Sequence, residues 1–247
     1  MSSYYTSPDI KDDNVLFVGD DDLWEMSLKD RKPRRITSSI GIVTDAKYSP
    51  DGKNIAFRVM SGQSASSADI YLYERKNGSV RRLTYLSGKS TSRRMFTDIA
   101  GWTPDGRLVI STSALFPFST PDLFYADLET GNLYPLDLGP ATHIIYVGSK
   151  IIIGRNTYEL PHWKGYKGGT RGKLWAGDLK SGFKKFLELD TSISSPVLVG
   201  SRIYFITDTD GTGQIYSVDL NGSDLKRHTD FKEFYPRNLK SDGVRIV

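Results

Sequence analysis

Two arginines, Arg93 and Arg94, stand side by side in the stretch GKSTSRRMF, just before an apolar pair. A guanidinium is a planar fork that stays charged at any working pH and matches a carboxylate with two parallel hydrogen bonds. Adjacent like charges repel unless an anion lies between them or solvent screens them. Three readings of the pair are therefore open: a clamp for a carboxylate, a salt bridge to Asp98 or a neighbouring element, or a solvated basic turn.

Other constellations point less sharply. HWKGYKGGTRGK, residues 162–173, interleaves basic residues with Trp163 and Tyr166, a pattern that offers rings for stacking and cations for phosphates. The alternative is a Gly-rich insertion between two strands, and the nearly balanced total charge favours it over nucleic acid. SGKST at Ser87–Thr91 mimics the end of a phosphate loop, but Leu83 stands where the first glycine is required and no helical run follows. DTDGTG at Asp208–Gly213 lacks the closing glutamate of a calcium loop and reads as a hairpin turn. Asp20, Asp21 and Asp22 read as a strand-end loop. His143, His162 and His228 fall in separate segments without ligand spacing, so no metal site and no cofactor is expected. No Gly-x-Ser-x-Gly elbow occurs, and no catalytic residue is assigned.

The elements that must position these residues follow from composition and periodicity. The 247 residues contain no cysteine, which excludes disulfides, thiol nucleophiles and cysteine-type zinc sites. There are 33 basic and 29 acidic residues, far from the clustered excess of a nucleic-acid footprint. The N-terminus has no basic region followed by a long apolar run, and the apolar stretches are short. A soluble, cytoplasmic protein that engages neither membrane nor nucleic acid is expected.

A repeat runs along the chain. Turns followed by apolar, β-branched runs recur as DDNVLFVG, SPDGKNIAFRV, TPDGRLVIST, VGSKIIIG, VGSRIYFIT and SDGVRIV. Their spacing of roughly 40 to 54 residues matches propeller blades. Between them lie second hairpins: DLWEMSLKDRKPRRIT, DIYLYERKNGSVRRLT, DLFYADLETGNLYPLDL, KLWAGDLKSGFKKFLEL and QIYSVDLNGSDLKRHT. Asn77-Gly78 and Asn221-Gly222 predict tight turns with both central residues at positive φ. In DIYLYERK the alternation puts Ile70 and Leu72 on one face, Tyr71 and Tyr73 on the other. Two hairpins make a four-stranded antiparallel blade. Six starts predict an all-β propeller of six four-stranded blades over residues 1–247, a single domain whose last blade is truncated at the C-terminus, as in a fragment.

Longer strings carry a resemblance. DDLWEMSL, GKSTSRRMFTDIAGW, LGPATHIIY, IGRNTYELPHWKGYKGGTRGKLW and SSPVLVGSRIYFITDTDGTGQIYS resemble the N-terminal propeller of the tricorn-like serine peptidase family over essentially the whole chain. That resemblance implies a large cytoplasmic, homohexameric peptidase that degrades oligopeptides, with further domains of the same parent chain carrying the catalytic residues. It implies a substrate-gating and substrate-positioning role here, with Arg93 and Arg94 binding the peptide's C-terminal carboxylate. The competing expectation is a stand-alone interaction propeller resembling TolB, which uses the same Pro-Asp-Gly turns and has no enzymatic role.

Overall fold

The computed structural model describes residues 4–60, 68–86, 96–115, 120–159 and 164–247. They form two compact units, Met1–Pro140 and Ala141–Val247. In the first, sheet 1 holds β1 (Thr6–Lys11), β2 (Asn14–Gly19), β3 (Asp22–Ser27) and β4 (Pro33–Arg35). Sheet 2 holds β5 (Ile42–Tyr48), β6 (Asn54–Met60), β7 (Ala68–Glu74) and β8 (Ser79–Arg82). Sheet 3 holds β9 (Thr97–Trp102), β10 (Leu108–Thr112), β11 (Asp122–Ala126) and β12 (Leu133–Pro135).

The second unit contains two more sheets. Sheet 4 is β13 (His143–Val147), β14 (Lys150–Arg155), β15 (Lys173–Asp178) and β16 (Gly182–Leu187). Sheet 5 is β17 (Ile193–Val199), β18 (Arg202–Thr207), β19 (Gln214–Asp219) and β20 (Lys226–Arg227). Every pairing is antiparallel between consecutive strands, so each sheet is a meander.

Alternation along each strand explains how the sheets pack. Ile70, Leu72 and Ala56 of sheet 2 meet Leu108, Ile110 and Phe124 of sheet 3. Phe57 and Tyr73, from the opposite face of sheet 2, meet Leu16, Val18 and Leu23 of sheet 1. Sheet 2 is thus buried on both faces, and the Ile70/Leu72 versus Tyr71/Tyr73 alternation separates its two neighbours rather than core from solvent. In the second unit Ile152 and Leu174 pack on Ile203, Phe205 and Tyr216. Each fully buried Leu, Ile or Phe contributes roughly 1.5–3 kcal/mol.

The expectation of six blades is corrected: among the described residues five four-stranded sheets form, not six. At the sixth turn the described residues make one isolated bridge, Ser241↔Ile246, with Lys240 and Val247 exchanging backbone hydrogen bonds of 3.1 Å. The Asp242 carboxylate accepts the Val244 and Arg245 amides at 3.0 and 2.7 Å and holds the turn. This turn packs on sheet 5, where Ser241 Oγ donates to Leu198 O at 3.0 Å. Turn chemistry needs only a few residues and marks the opening of a hairpin; it carries no count of the strands beyond it.

The Asn-Gly hairpins also differ from expectation. Only Gly78 and Gly222 take positive φ; Asn77 does not, because its Oδ1 accepts the Ser79 amide at 2.8 Å across a longer loop.

A side-chain clamp ties the third strand of a sheet to the segment leaving its fourth. Thr37 Oγ1 donates to Asp22 Oδ1 at 2.7 Å and accepts the Leu23 amide at 2.9 Å, while Arg35 pairs with Asp22. Sheet 2 repeats this with Thr84, Asp69 and Arg82 at 3.0 and 2.5 Å. In sheet 5 the same positions are Gln214 and Thr229, 2.8 Å apart. A buried carboxylate costs free energy unless paired and hydrogen-bonded, and Asp22 and Asp69 are both.

Candidate functional site

Arg93 and Arg94 lie outside the described residues, but both ends of the connection that carries them are described. Leu86 is buried and donates its amide to Asp69 Oδ1 at 2.6 Å, so the clamp of sheet 2 holds one end. Phe96 donates its amide to Ser113 Oγ at 3.0 Å and accepts the Ser113 amide at 2.9 Å, so sheet 3 holds the other. Beside it, Arg58 of β6 donates to Thr97 O at 2.6 Å and to Thr44 Oγ1 at 2.7 Å, fastening sheet 2 to the first strand of sheet 3. Thr97 and Thr112 share a buried hydrogen bond of 2.9 Å. The chain thus leaves sheet 2 at Leu86 and enters sheet 3 at Phe96 from two fixed points. Asp98, the carboxylate weighed as a partner for the pair, accepts the Ile99 amide at 2.8 Å.

The basic, aromatic loop is partly described, from Lys164 onward; His162 and Trp163 lie outside. Lys164 Nζ sits 4.8 Å from the centre of the Tyr235 ring. Tyr166 bonds Thr170 at 2.8 Å. Arg171 and Lys173 both pair with Glu188, at 2.7 and 2.8 Å, and Lys185 joins them. Hydrogen bonds from Lys173 and then Lys185 hold the Glu188 pKa down to about 2. Arg171 and Lys173 are thus committed to an ion pair with Glu188, at the end of the fourth strand of sheet 4.

SGKST, residues 87–91, lies outside the described residues, and the remaining candidates that are described have structural partners. Asp208 Oδ2 accepts the Gly165 amide at 2.6 Å, and the Gly211 amide closes the DTDGTG turn on Asp208 O at 2.9 Å. Asp210 accepts from Tyr216 and Arg227. Of the three aspartates at 20–22, Asp20 and Asp21 turn the chain at positive φ and Asp22 anchors its clamp. His143 Nδ1 lies 2.8 Å from Thr157 Oγ1. His228 Nε2 lies 2.7 Å from Ser217 Oγ; burial, Arg202 and Lys226 lower its pKa. Among the described residues, no three His, Asp or Glu side chains converge in a way that suits a metal ion.

One constellation escaped the sequence reading. Glu25 of β3 is buried, 7% exposed, and accepts Arg34 Nη2, Arg75 Nη2 and the Tyr48 hydroxyl at 2.8, 2.8 and 2.9 Å. Burial pushes its carboxyl up, but the Arg34 and Tyr48 hydrogen bonds and the two positive charges overcome that and leave it below its ordinary value. Arg34 and Arg75 come from different sheets, and only the repeat alignment, with Leu28, Leu128, Leu179 and Leu220 at the positions matching Arg75, signals that something is unusual there.

Five four-stranded antiparallel meanders, packed face to face within each unit, define a β-propeller. Residues 2–247 match the family described as the tricorn protease N-terminal beta propeller domain, and the chain belongs to that family. It is 54% identical over 248 residues to the tricorn protease of Thermoplasma acidophilum, covering 100% of this chain and 23% of that protein. A crystal structure of the tricorn protease superposes with a TM-score of 0.94 at 54% identity, covering 100% of this chain and 24% of that one. The chain thus spans about a quarter of the length of these relatives. A TolB structure from Agrobacterium tumefaciens gives a TM-score of 0.68 at 17% identity, covering 91% of this chain and 80% of that one. That likeness shows the fold alone.

Proposed function

We propose that this propeller handles substrate for a tricorn-like serine peptidase, admitting oligopeptides and holding their C-terminal carboxylate on Arg93 and Arg94. The observation that carries this reading is the two-point attachment of their connection, Leu86 on Asp69 and Phe96 on Ser113. A carboxylate clamp works as a ruler only if its distance from the reactive centre is fixed, and the described residues on either side, Leu86 and Phe96, are each held by a side chain of a packed sheet. The reading places the nucleophile and base in further domains of a cytoplasmic, homohexameric parent, and assigns no catalytic residue to this chain.

The test compares cleavage of a peptide bearing a free C-terminal carboxylate with that of its amide, by the whole peptidase carrying this propeller. Losing one charge-assisted contact costs about 1.5–3 kcal/mol, so amidation lowers wild-type kcat/KM by roughly ten- to a hundredfold. An Arg93→Ala, Arg94→Ala double variant is then slow on both peptides alike. If the variant cleaves both as fast as wild type does, the pair is a solvated turn and the proposal fails.

A further inference from the structure

We infer that Arg34 and Arg75, bridged by Glu25, form a carboxylate-binding site between sheets 1 and 2, separate from Arg93 and Arg94. The two guanidiniums hold opposite oxygens of one buried carboxylate, so they stand close together in a fixed geometry. Arg34 Nη1 also donates to Tyr73 OH at 3.1 Å, and Arg75 Nη1 to Gly52 O at 3.0 Å. Arg75 further lies 5.5 Å from the centre of the Tyr48 ring. Each guanidinium carries five N–H donors, and these contacts use only part of them. Both line a cavity of about 520 Å³, rimmed also by Lys53 and Lys76.

The repeat shows that the fold does not require this cluster. At the third-strand position of Glu25, the other sheets carry Leu72, Tyr125, Ala176 and Ser217. At the position of Arg75 they carry Leu28, Leu128, Leu179 and Leu220. Two departures from the repeat, on different sheets, thus meet in one ion pair. Replacing a buried ion pair by packed apolar residues is often neutral or stabilising, so stability alone gives no reason for two departures to coincide.

Charge selects the ligand. Four cations, Arg34, Lys53, Arg75 and Lys76, face three carboxylates, Glu25, Asp51 and Glu74. Asp51 is occupied by Ser49 and Lys53, and Glu74 by Asn77. One positive charge is left over, held on forked donors, which suits a monoanionic carboxylate better than a phosphate dianion. The occupant is the carboxylate of an acidic side chain on a partner protein or peptide.

The test uses N-acetylglycine as the carboxylate probe, N-acetylglycinamide as its neutral analogue, and inorganic phosphate, titrated into the full chain while the Arg34 and Arg75 Nε–H signals are followed by NMR. Saturable shifts of both signals with the acid, none with the amide and at least tenfold weaker binding of phosphate are expected. A Glu25→Leu, Arg75→Leu double variant restores the residue type that the repeat uses elsewhere; it folds, and its acid affinity falls at least tenfold. Equal responses to acid and amide, tighter binding of phosphate, or wild-type affinity in the folded double variant would overturn the inference. None of these outcomes involves Arg93 or Arg94.

Discussion

Lys173 Nζ lies 2.8 Å from Glu188 Oε1, the same fifteen-residue step that joins Asp22 to Thr37 and Asp69 to Thr84. Sheet 4 thus keeps the clamp with its charges rearranged: the cation opens the third strand and the carboxylate follows the fourth. A Lys173→Asp variant sets two carboxylates against each other and lowers the melting temperature. Adding Glu188→Thr rebuilds the arrangement of sheets 1 and 2 and recovers most of the loss. A thermal-melt double-mutant cycle checks this; equal melting temperatures for the single and double variants would refute the equivalence.

Sheet 3 breaks the clamp. Asp122 opens its third strand, but Pro135 stands where Arg35 and Arg82 stand, and Asp137 where Thr37 and Thr84 stand. Asp122 Oδ1 is buried without a partner, and burial and then the Asp137 charge raise its pKa. A raised folded-state value means stability gained as pH falls through it and withheld at neutral pH. Asp137→Asn removes the like charge and suits the φ of +54° at that position. The variant is more stable than wild type at pH 7 by about 1 kcal/mol, and its advantage shrinks as pH falls through the ordinary carboxylate range. Urea denaturation at several pH values measures it; a constant or negative difference would exclude charge repulsion.

Glu25 has the opposite sign. Its lowered folded-state value gives stability that is present above the ordinary glutamate range and lost as pH falls through the lowered value. Glu25→Gln keeps the shape, loses about 1–3 kcal/mol at pH 7, and flattens this acid limb of the stability curve. An unchanged acid limb in the variant would show that other carboxylates set it.

Much of this architecture was legible in the sequence, for identifiable reasons. The five second-hairpin copies gave the third and fourth strands of five sheets, because a two-residue alternation with an aromatic on the third strand is a local signal. The count of six was one too many because SDGVRIV carries the turn chemistry that opens a hairpin, and among the described residues it forms only an isolated bridge, Ser241↔Ile246. The frame around Arg93 and Arg94 was hidden because Asp69 and Ser113 hold Leu86 and Phe96 through side chains distant in sequence. The Glu25 cluster was hidden for the same reason: Arg75 becomes its partner only when sheet 2 packs on sheet 1.

Two glycine turns press against the backbone of a neighbouring sheet. Gly131 follows β11 at φ +74°, and a Cβ there would lie 2.1 Å from the Leu83 carbonyl oxygen of sheet 2. Gly222 stands in the matching turn of sheet 5 at φ +81°, where a Cβ would lie 2.4 Å from the Phe186 carbonyl oxygen of sheet 4. Both turns press against backbone leaving the preceding sheet, which cannot yield as a flexible side chain would. Gly131→Ala therefore combines an unfavourable φ with displacement of the Leu83 strand exit, at a cost of about 1–3 kcal/mol. Because Leu83 lies next to Thr84 of the sheet 2 clamp, the displacement also loosens Leu86 on Asp69. Hydrogen exchange separates the local effect from the global one: the Leu86 amide loses protection in Gly131→Ala but keeps it in Gly222→Ala. Equal protection of Leu86 in both variants would mean that the turn packing does not reach the arginine-bearing connection.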